Sequence, residues 1–568
     1  MGELEYNSPQ ISKDQALTFA EMKLPGPDNS FKATPIDSVA DDILLDIFLL
    51  NATLCDPSSY NRAVVTTACS QVCVRWRFLA LNYPAIWGCI IDFRQHSLQW
   101  IETFLCRSSP SLFDFGGRTK QLDLSIRQDD ELSVLELVFN HISRLRIFHF
   151  RAQTRGWELV RSRFLQQPAP NLEFLGLTPP FNTISVLKDP LFDNYAPMLR
   201  NLQLRRCLVD FTSPILAPLT ELYVHRTISL HAEPTVLNWL NILGEMPFLR
   251  WITIIHAISG STASSAFPTI HLTSLEMLSV EGELHETVTL IGQLIISPRC
   301  GLRLCCDRAH IGSHQGKLWA IIEKKMDFWE TNTPNRRLEV INDKNTITIG
   351  NLRNLECIGN TGAEVLRYGR DLPLDPILGI TLRSPNSQEI IPLFLSLFGL
   401  FNWTFFTTTF LRLWVDYRAA GGTGIFPPLV NRCLPTFGQL QKLYLKRDSH
   451  SFLFPLLRHA SSPGSVLLPL LHTLMFAAGD FGHGSGSLAS IAMFLEWRRQ
   501  QGFPISKIII IESRIDREYI QSQLRDVEVV MDSTNDVEFG SRTVGYRASS
   551  APQPLALARR RRERYSAS

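Results

Sequence analysis

Between Val39 and Trp87, apolar residues recur at helical spacing. Val39, Ile43, Ile47 and Leu50 form one stripe, widened by Leu44 and Phe48, while Asp42, Asp46 and Asn51 stay on the other side. The spacing predicts a helix with Ser38 as its N-cap, and Asp41 and Asp42 favour the positive end of its dipole. A second helix is predicted from about Ala63 to Leu81. Its apolar face is Val65, Ala68, Cys69, Val72, Cys73, Trp76 and Leu79, and its wet face carries Gln71, Arg75 and Arg77. Pro84 blocks continuation, and Ile86 and Trp87 add further apolar mass. Two short amphipathic helices cannot bury both stripes in each other, so part of this surface needs a partner.

After Trp87 the period changes. Pro170–Leu177, Pro197–Leu204, Pro247–Ile254 and Pro469–Phe476 read P-x-L-x-x-L-x-L, with Ile and Phe allowed for Leu. Looser copies are Pro218–Val224, Leu440–Leu445, Arg144–Ile147, Leu275–Val280, Ile380–Leu382, Leu413–Val415 and Lys507–Ile511. Proline ends the preceding helix, and the closing L-x-L alternates as a strand does. Amphipathic helices are predicted between copies at Val236–Glu245, Glu286–Ile296, Lys317–Trp329 and Leu488–Arg499. A strand and a helix repeated every ~20–35 residues predict an irregular leucine-rich-repeat solenoid. The expected fold class is therefore a mixed α/β repeat: a small all-helical head, then the solenoid. The expected divisions are a flexible leader at 1–33, a head at 34–95, a solenoid at 96–532 and a disordered basic tail at 533–568. An insertion or degenerate repeats are expected within 305–370, where the repeat pattern is poor.

Composition narrows the function classes. Over 568 residues the formal net charge is +2, too balanced for a nucleic-acid-binding surface along the body. The 11 cysteines have no regular spacing and mostly sit in apolar runs, which suits a reducing cytosol or nucleus. No basic region followed by an apolar run stands at the N-terminus, so no secretory signal is expected. Arg559–Arg562 is a candidate nuclear-import address. Ile390–Leu411 is uncharged and long enough to span a bilayer, but Pro392, Gly399 and Asn402 favour a buried helix near Ile390–Leu400 and a strand ending at Leu413–Val415. Gly482–Ser487 has the place of a phosphate cradle but lacks the lysine of a P-loop, so Ser487 is expected to cap a helix. Cys306, His310 and His314 share a helical face only if Gly312 and Ser313 permit a helix, and a surface loop is expected instead. No catalytic signature is present, and neither enzymatic activity nor a metal or cofactor is expected.

The stretch I-D-S-V-A-D-D-I-L-L-D-I-F, followed by V-C-V-R-W-R-F-L-A-L-N-Y-P-A-I-W, resembles an F-box, especially as it occurs in fungal proteins. Val39-Ala40 stands where that family usually has Leu-Pro. The two modules in this order resemble the F-box proteins with leucine-rich repeats, substrate receptors of Skp–cullin–F-box ubiquitin ligases. The resemblance implies a head that binds a Skp-family adaptor, and through it a cullin, and a repeat region that binds a protein substrate. It implies neither nucleic acid nor membrane as a partner, and a cytoplasmic or nuclear location. By family analogy the adaptor face includes Val39, Ile43, Leu44, Ile47, Phe48, Val72 and Trp76. The alternation of the strands directs Asn201, Gln203, Arg205, Glu221, Tyr223, His225, Trp251, Thr253 and Ile255 outward onto one patch. Gln203, Arg205, Tyr223, His225 and Trp251 are the expected substrate contacts, since Tyr, Trp and Arg most often carry interface energy. Lys442, Tyr444 and Lys446 are a second location for them. The rival expectation is a repeat scaffold outside any ligase, in which the head caps the solenoid.

Overall fold

The computed structural model describes residues 39–54, 61–94, 96–116, 122–123, 131–180, 185–187, 189–226, 234–259, 267–307, 315–332, 336–343, 346–351, 378–383, 408–415, 429–446, 449–461, 466–477, 487–511, 520–522, 524 and 526–532. The leader, the tail, Ser38, the span 390–407, the loop 482–486, His310 and His314 lie outside them. The chain divides into two units, Met1–Phe113 and Asp114–Ser568.

The first unit is helical, with α1 (Asp41–Leu54), α2 (Asn61–Gln71), α3 (Val74–Asn82), α4 (Pro84–Cys89) and α5 (Leu98–Arg107). It extends beyond the expected boundary at residue 95 by taking in α5. In α1 the residues Leu44, Phe48 and Ala52, one turn apart, face inward and are buried. They meet Leu79 and Ala80 of α3, Ile86 and Trp87 of α4, and Phe104 of α5. Trp76 packs edge-on against Phe48 with ring centroids 5.0 Å apart. The Trp87 indole N–H donates to the Ala80 carbonyl at 2.9 Å, so the one polar atom of that side chain is satisfied inside the core. The single helix expected over 63–81 is in fact two. The chain is extended at Cys73, whose Sγ accepts the Trp76 amide at 3.4 Å and caps α3. Pro84 does not end the helical region; it opens α4 from its first turn, where its missing N–H costs nothing.

The second unit is built on strands. Those of its main sheet include β1 (Leu145–Arg151), β2 (Phe174–Thr178), β3 (Asn201–Arg205), β4 (Glu221–His225), β5 (Trp251–Ile255), β6 (Met277–Glu283), β7 (Gly301–Asp307), β8 (Arg336–Asp343), β9 (Thr346–Asn351), β10 (Leu378–Arg383), β11 (Thr408–Val415), β12 (Lys442–Lys446), β13 (Thr473–Ala477), β14 (Lys507–Ile511) and β15 (Glu528–Asp532). From β1 to β7, and on to β10, each strand pairs parallel with the next. The direction then reverses, with β10 antiparallel to β9 and β9 antiparallel to β8. β8 pairs parallel with β11, and β11 to β15 form a second parallel run. Most strands of the two runs are entered by the same turn, in which the leucine amide donates to the carbonyl three residues back, as from Leu199 to Ala196 and from Leu471 to Leu468. One side of the sheet is apolar throughout: Phe148, Leu175, Leu202, Leu222, Ile252, Leu278 and Leu302 in the first run, and Leu411, Leu443, Leu474, Ile508 and Val529 in the second, are all buried.

This arrangement corrects the expected solenoid. The unit is an α/β assembly of a parallel run of eight strands and a parallel run of five, with helices. The strand order departs from chain order at β7–β10–β9–β8–β11, which one uniform repeat array does not do. The connections are also unlike one another. α6 (Glu131–Phe139) precedes β1, while α7 (Thr154–Leu159), α8 (Val236–Gly244), α9 (Leu284–Gly292), α11 (Ser449–Ala460) and α12 (Ser487–Gln500) join neighbouring strands and α10 (Gln315–Asn332) leads into the reversal, but short 3-10 turns at Leu191–Asn194 and Pro214–Leu216 precede β3 and β4. An L-x-L pattern specifies a strand with one buried side and the turn before it. It carries no information about which strand comes next. Two strands of the reversal, β8 and β9, lie within 305–370, where the repeat pattern is weakest. The strand expected at the end of Ile390–Leu411 is β11, and among the described residues no helix is long and apolar enough to cross a membrane.

Candidate functional site

Two surfaces stand out, one in each unit. In the helical unit, α1 carries a second apolar ridge beside its buried one. Ile43, Ile47 and Leu50 repeat at i, i+4, i+7 and are exposed, Ile43 by 52% and Ile47 by 42%. Val74, Phe78 and Leu81 repeat the same spacing on α3 and are exposed too, Val74 by 80% and Phe78 by 66%, as is Val72 in the break before it. Fully burying one such side chain is worth about 1.5–3 kcal/mol, so leaving seven in water forgoes a large stabilisation. The ridges are held in place by Arg75, whose guanidinium donates to Asp41 Oδ1 at 2.6 and 2.8 Å and to the Val39 carbonyl. That clamp ties α3 to the start of α1.

The structure divides the expected adaptor residues. Ile43, Ile47 and Val72 are exposed. Leu44 and Phe48 are not surface residues, because they form the inner ridge of α1 and close the unit's own core. Val39 and Trp76 are half-buried against that core. Val74, Phe78 and Leu81 were not among the expected residues. Their 74/78/81 spacing was legible, but the break at Cys73 rotates α3 away from the face a continuous helix gives it.

The second surface is the other side of the sheet. His149, Gly176, Gln203, Tyr223, Thr253, Ser279 and Arg303 lie opposite one another, strand by strand, in one row across β1 to β7. A parallel row with Arg205 and His225 runs two residues further along β3 and β4, and one with Asn201, Glu221 and Trp251 two residues back. This brings the five expected substrate contacts together. It does not display them all, and of the nine residues expected to face outward five are corrected, since Asn201, Gln203, Tyr223, Thr253 and Ile255 are buried. Gln203 and Tyr223 are buried, Tyr223 to 2% exposure, while Arg205, His225 and Trp251 are half-buried. Strands about 4.8 Å apart leave each long side chain leaning on its neighbours. The Arg205 guanidinium lies over the Tyr223 ring, 5.3 Å from its centroid, and the Tyr223 and His225 rings meet edge-on at 6.2 Å.

Burial sets the protonation of this face. Burial, aided by Glu281 and opposed by Arg205 and Arg303, pushes the Tyr223 hydroxyl up to about 12. Burial, with the nearby charges of Arg205, His256 and Arg206, pushes His225 down to about 4, so the ring is neutral at pH 7. Two acidic side chains pair with a second histidine. His256, one residue past β5, faces Glu281 at 3.3 Å through Nε2 and Asp307 at 3.4 Å through Nδ1. Among the described residues, no cluster of His, Cys, Asp and Glu side chains is arranged to hold a metal ion, and Cys306 is a buried strand residue. Lys442 and Tyr444 stand on β12, where Tyr444 is buried under Arg412. Compared with protein-family models and with curated proteins, the chain matches neither a family model nor a curated protein.

Proposed function

We propose that the protein is a substrate receptor of a Skp–cullin–F-box ubiquitin ligase. The helical unit binds the Skp-family adaptor, and the sheet unit holds the protein to be modified. The protein performs no bond chemistry. It raises the effective concentration of a substrate lysine near the ubiquitin-loaded enzyme at the other end of the ligase. The observation that carries this reading is the pair of exposed apolar ridges, Ile43–Ile47–Leu50 and Val74–Phe78–Leu81, in the stretch that resembles an F-box. Such a surface on a small helical unit marks a binding face rather than a folding core. The reading places the protein in the cytosol or nucleus, with Arg559–Arg562 as a nuclear-import address.

The test uses Ile43→Asp with Ile47→Asp, two positions outside the head's core. In co-purification with a Skp-family adaptor, the double variant should lose roughly a hundredfold or more in affinity, since two apolar contacts become two buried charges. Its helical circular dichroism should match that of the unmutated protein. Leu44→Asp, by contrast, should unfold the head. The proposal is wrong if the unmutated chain retains no adaptor.

A further inference from the structure

On the polar side of the sheet, three side chains have donors without acceptors. Among the described residues, the Tyr223 hydroxyl, the Asn201 amide nitrogen and the Arg205 Nε have no hydrogen-bond partner. Tyr223 and Asn201 are each more than nine-tenths buried. Buried polar groups are nearly always paired, so such a cluster calls for an explanation. The three lie on one side of neighbouring strands: Asn201 and Arg205 stand two residues to either side of Gln203 on β3, and Gln203 is opposite Tyr223 on β4. All three lack the same thing, an acceptor. The nearby carboxylates do not supply it: Glu281 and Asp307 face His256, and Glu221, opposite Asn201 on β4, leaves the Asn201 amide nitrogen without a partner. Arg205 has no carboxylate partner and only stacks on the Tyr223 ring.

We infer that this patch binds carboxylate side chains of an acidic protein segment laid across β3 and β4. The inference rests on the substrate-receptor reading and names the chemistry of the substrate. A carboxylate carries one negative charge and about four acceptor sites. One carboxylate of the segment meets the Arg205 fork and the Tyr223 hydroxyl, and a second acceptor further along it meets the Asn201 amide, whereas a doubly charged phosphate calls for a second unengaged cation. The Arg205 side chain, half-buried and lying over Tyr223, is the group that moves to meet the ligand and uncovers the hydroxyl beneath it. His225, neutral at pH 7, adds no second positive charge beside Arg205.

The inference is tested with the full chain and a fluorescent eight-residue peptide of alternating Glu and Ala, read by anisotropy, beside Gln/Ala and Lys/Ala versions. The Glu peptide should bind, more weakly as salt is raised, and the other two should not. Arg205→Gln should weaken it about tenfold or more, and Tyr223→Phe about three- to tenfold. Tyr223→Phe has a second readout. Removing a hydroxyl that lacks a partner in the free protein should raise the melting temperature while it weakens binding. A lowered melting temperature would mean the hydroxyl has a structural partner, and would overturn the inference. So would equal binding of the Gln peptide. Adaptor binding is measured on the same variants. Its absence with peptide binding intact removes the ligase reading alone, and its presence with no peptide binding removes this inference alone.

Discussion

The same side of one continuous sheet has opposite chemistry at its two ends. In the run β1 to β7, the central row reads His149, Gly176, Gln203, Tyr223, Thr253, Ser279 and Arg303. The row passes in register through Gly379, Gly350 and Glu339 and continues as Arg412, Tyr444, Met475, Ile509 and Val530. There Tyr444, Met475 and Ile509 close into a small apolar cluster with Phe410 and Val530. The opposite side of the sheet is equally apolar in both runs. A sheet of this kind is therefore stable with an apolar second side, and the polar side of the first run is not required by folding. Burying Gln203, Tyr223 and Thr253 there works against stability. Each run also has an arginine over a tyrosine on the next strand, Arg205 on Tyr223 and Arg412 on Tyr444, at 5.3 and 4.9 Å. The stacking itself is thus common to both and does not distinguish them.

The most deeply buried charged side chain of the second run lies away from this row. Arg498 of α12 is buried and donates to the carbonyls of Phe503 at 2.9 Å, Leu467 at 3.1 Å, Leu468 at 3.2 Å and Leu471 at 3.0 Å. Burial pulls its pKa down to about 10, which still leaves it charged at pH 7. It fastens α12 to the turn that enters β13. Arg498→Met should cost about 3–4 kcal/mol, because charge-assisted bonds are lost and carbonyls are left short of donors. Urea denaturation measures this. A loss below 1 kcal/mol would mean that the carbonyls find water instead and the clamp is dispensable.

Exchanging the character of the two rows tests the comparison directly. Met475→Gln puts an amide into the apolar cluster and should destabilise the protein by about 2 kcal/mol. Gln203→Met makes the reverse change in the polar row. If that row serves binding, this variant should be at least as stable as the parent. Equal losses from both changes would mean that the two rows are both packed for stability and that their difference carries no functional information.

How much of this was legible in the sequence depended on the type of pattern. The inner ridge of α1 and the L-x-L strands are periodicities, and periodicity reports which side of an element is apolar. The buried Leu202, Leu204, Ile252 and Ile254 were therefore readable. The dividing of Ile43 and Ile47 from Leu44 and Phe48 was not, since all six positions of that broad stripe look alike until a core claims one edge. The break at Cys73 was hidden because Val72 and Cys73 continue the apolar spacing. The reversal at β8 to β10 was hidden because antiparallel and parallel neighbours share the same alternation. The outward positions of β3 and β4 were identified as one side of a strand. Their burial was not, because it comes from the crowding of Arg205, Tyr223 and His225 across adjacent strands.

The smallest predicted effect is a pH dependence confined to the first run. His225 titrates at about 4 in the folded protein, against about 6.5 in an unfolded chain. As pH falls, the unfolded chain takes up the proton first, so stability is complete above about pH 6.5, declines toward pH 4, and is level below that. The ring is partly open to solvent, which reduces the loss to roughly 1–2 kcal/mol. Burial is the main cause, followed by Arg205, His256 and Arg206, with Glu281 opposing them. His225→Gln should therefore flatten the urea-midpoint profile between pH 7 and pH 4.5 relative to the parent. Arg205→Gln removes one repelling charge and raises the proton affinity of the folded state toward that of the unfolded one, so the decline should end at a higher pH and its total should be smaller. The row around Tyr444 has no histidine, so Tyr444→Phe should leave the profile unchanged. A parent profile as steep as that of His225→Gln would show that the imidazole is solvated as freely in the folded protein as in the unfolded chain. The polar side would then be an open surface, and the buried, unpartnered chemistry assigned to Tyr223 would not stand.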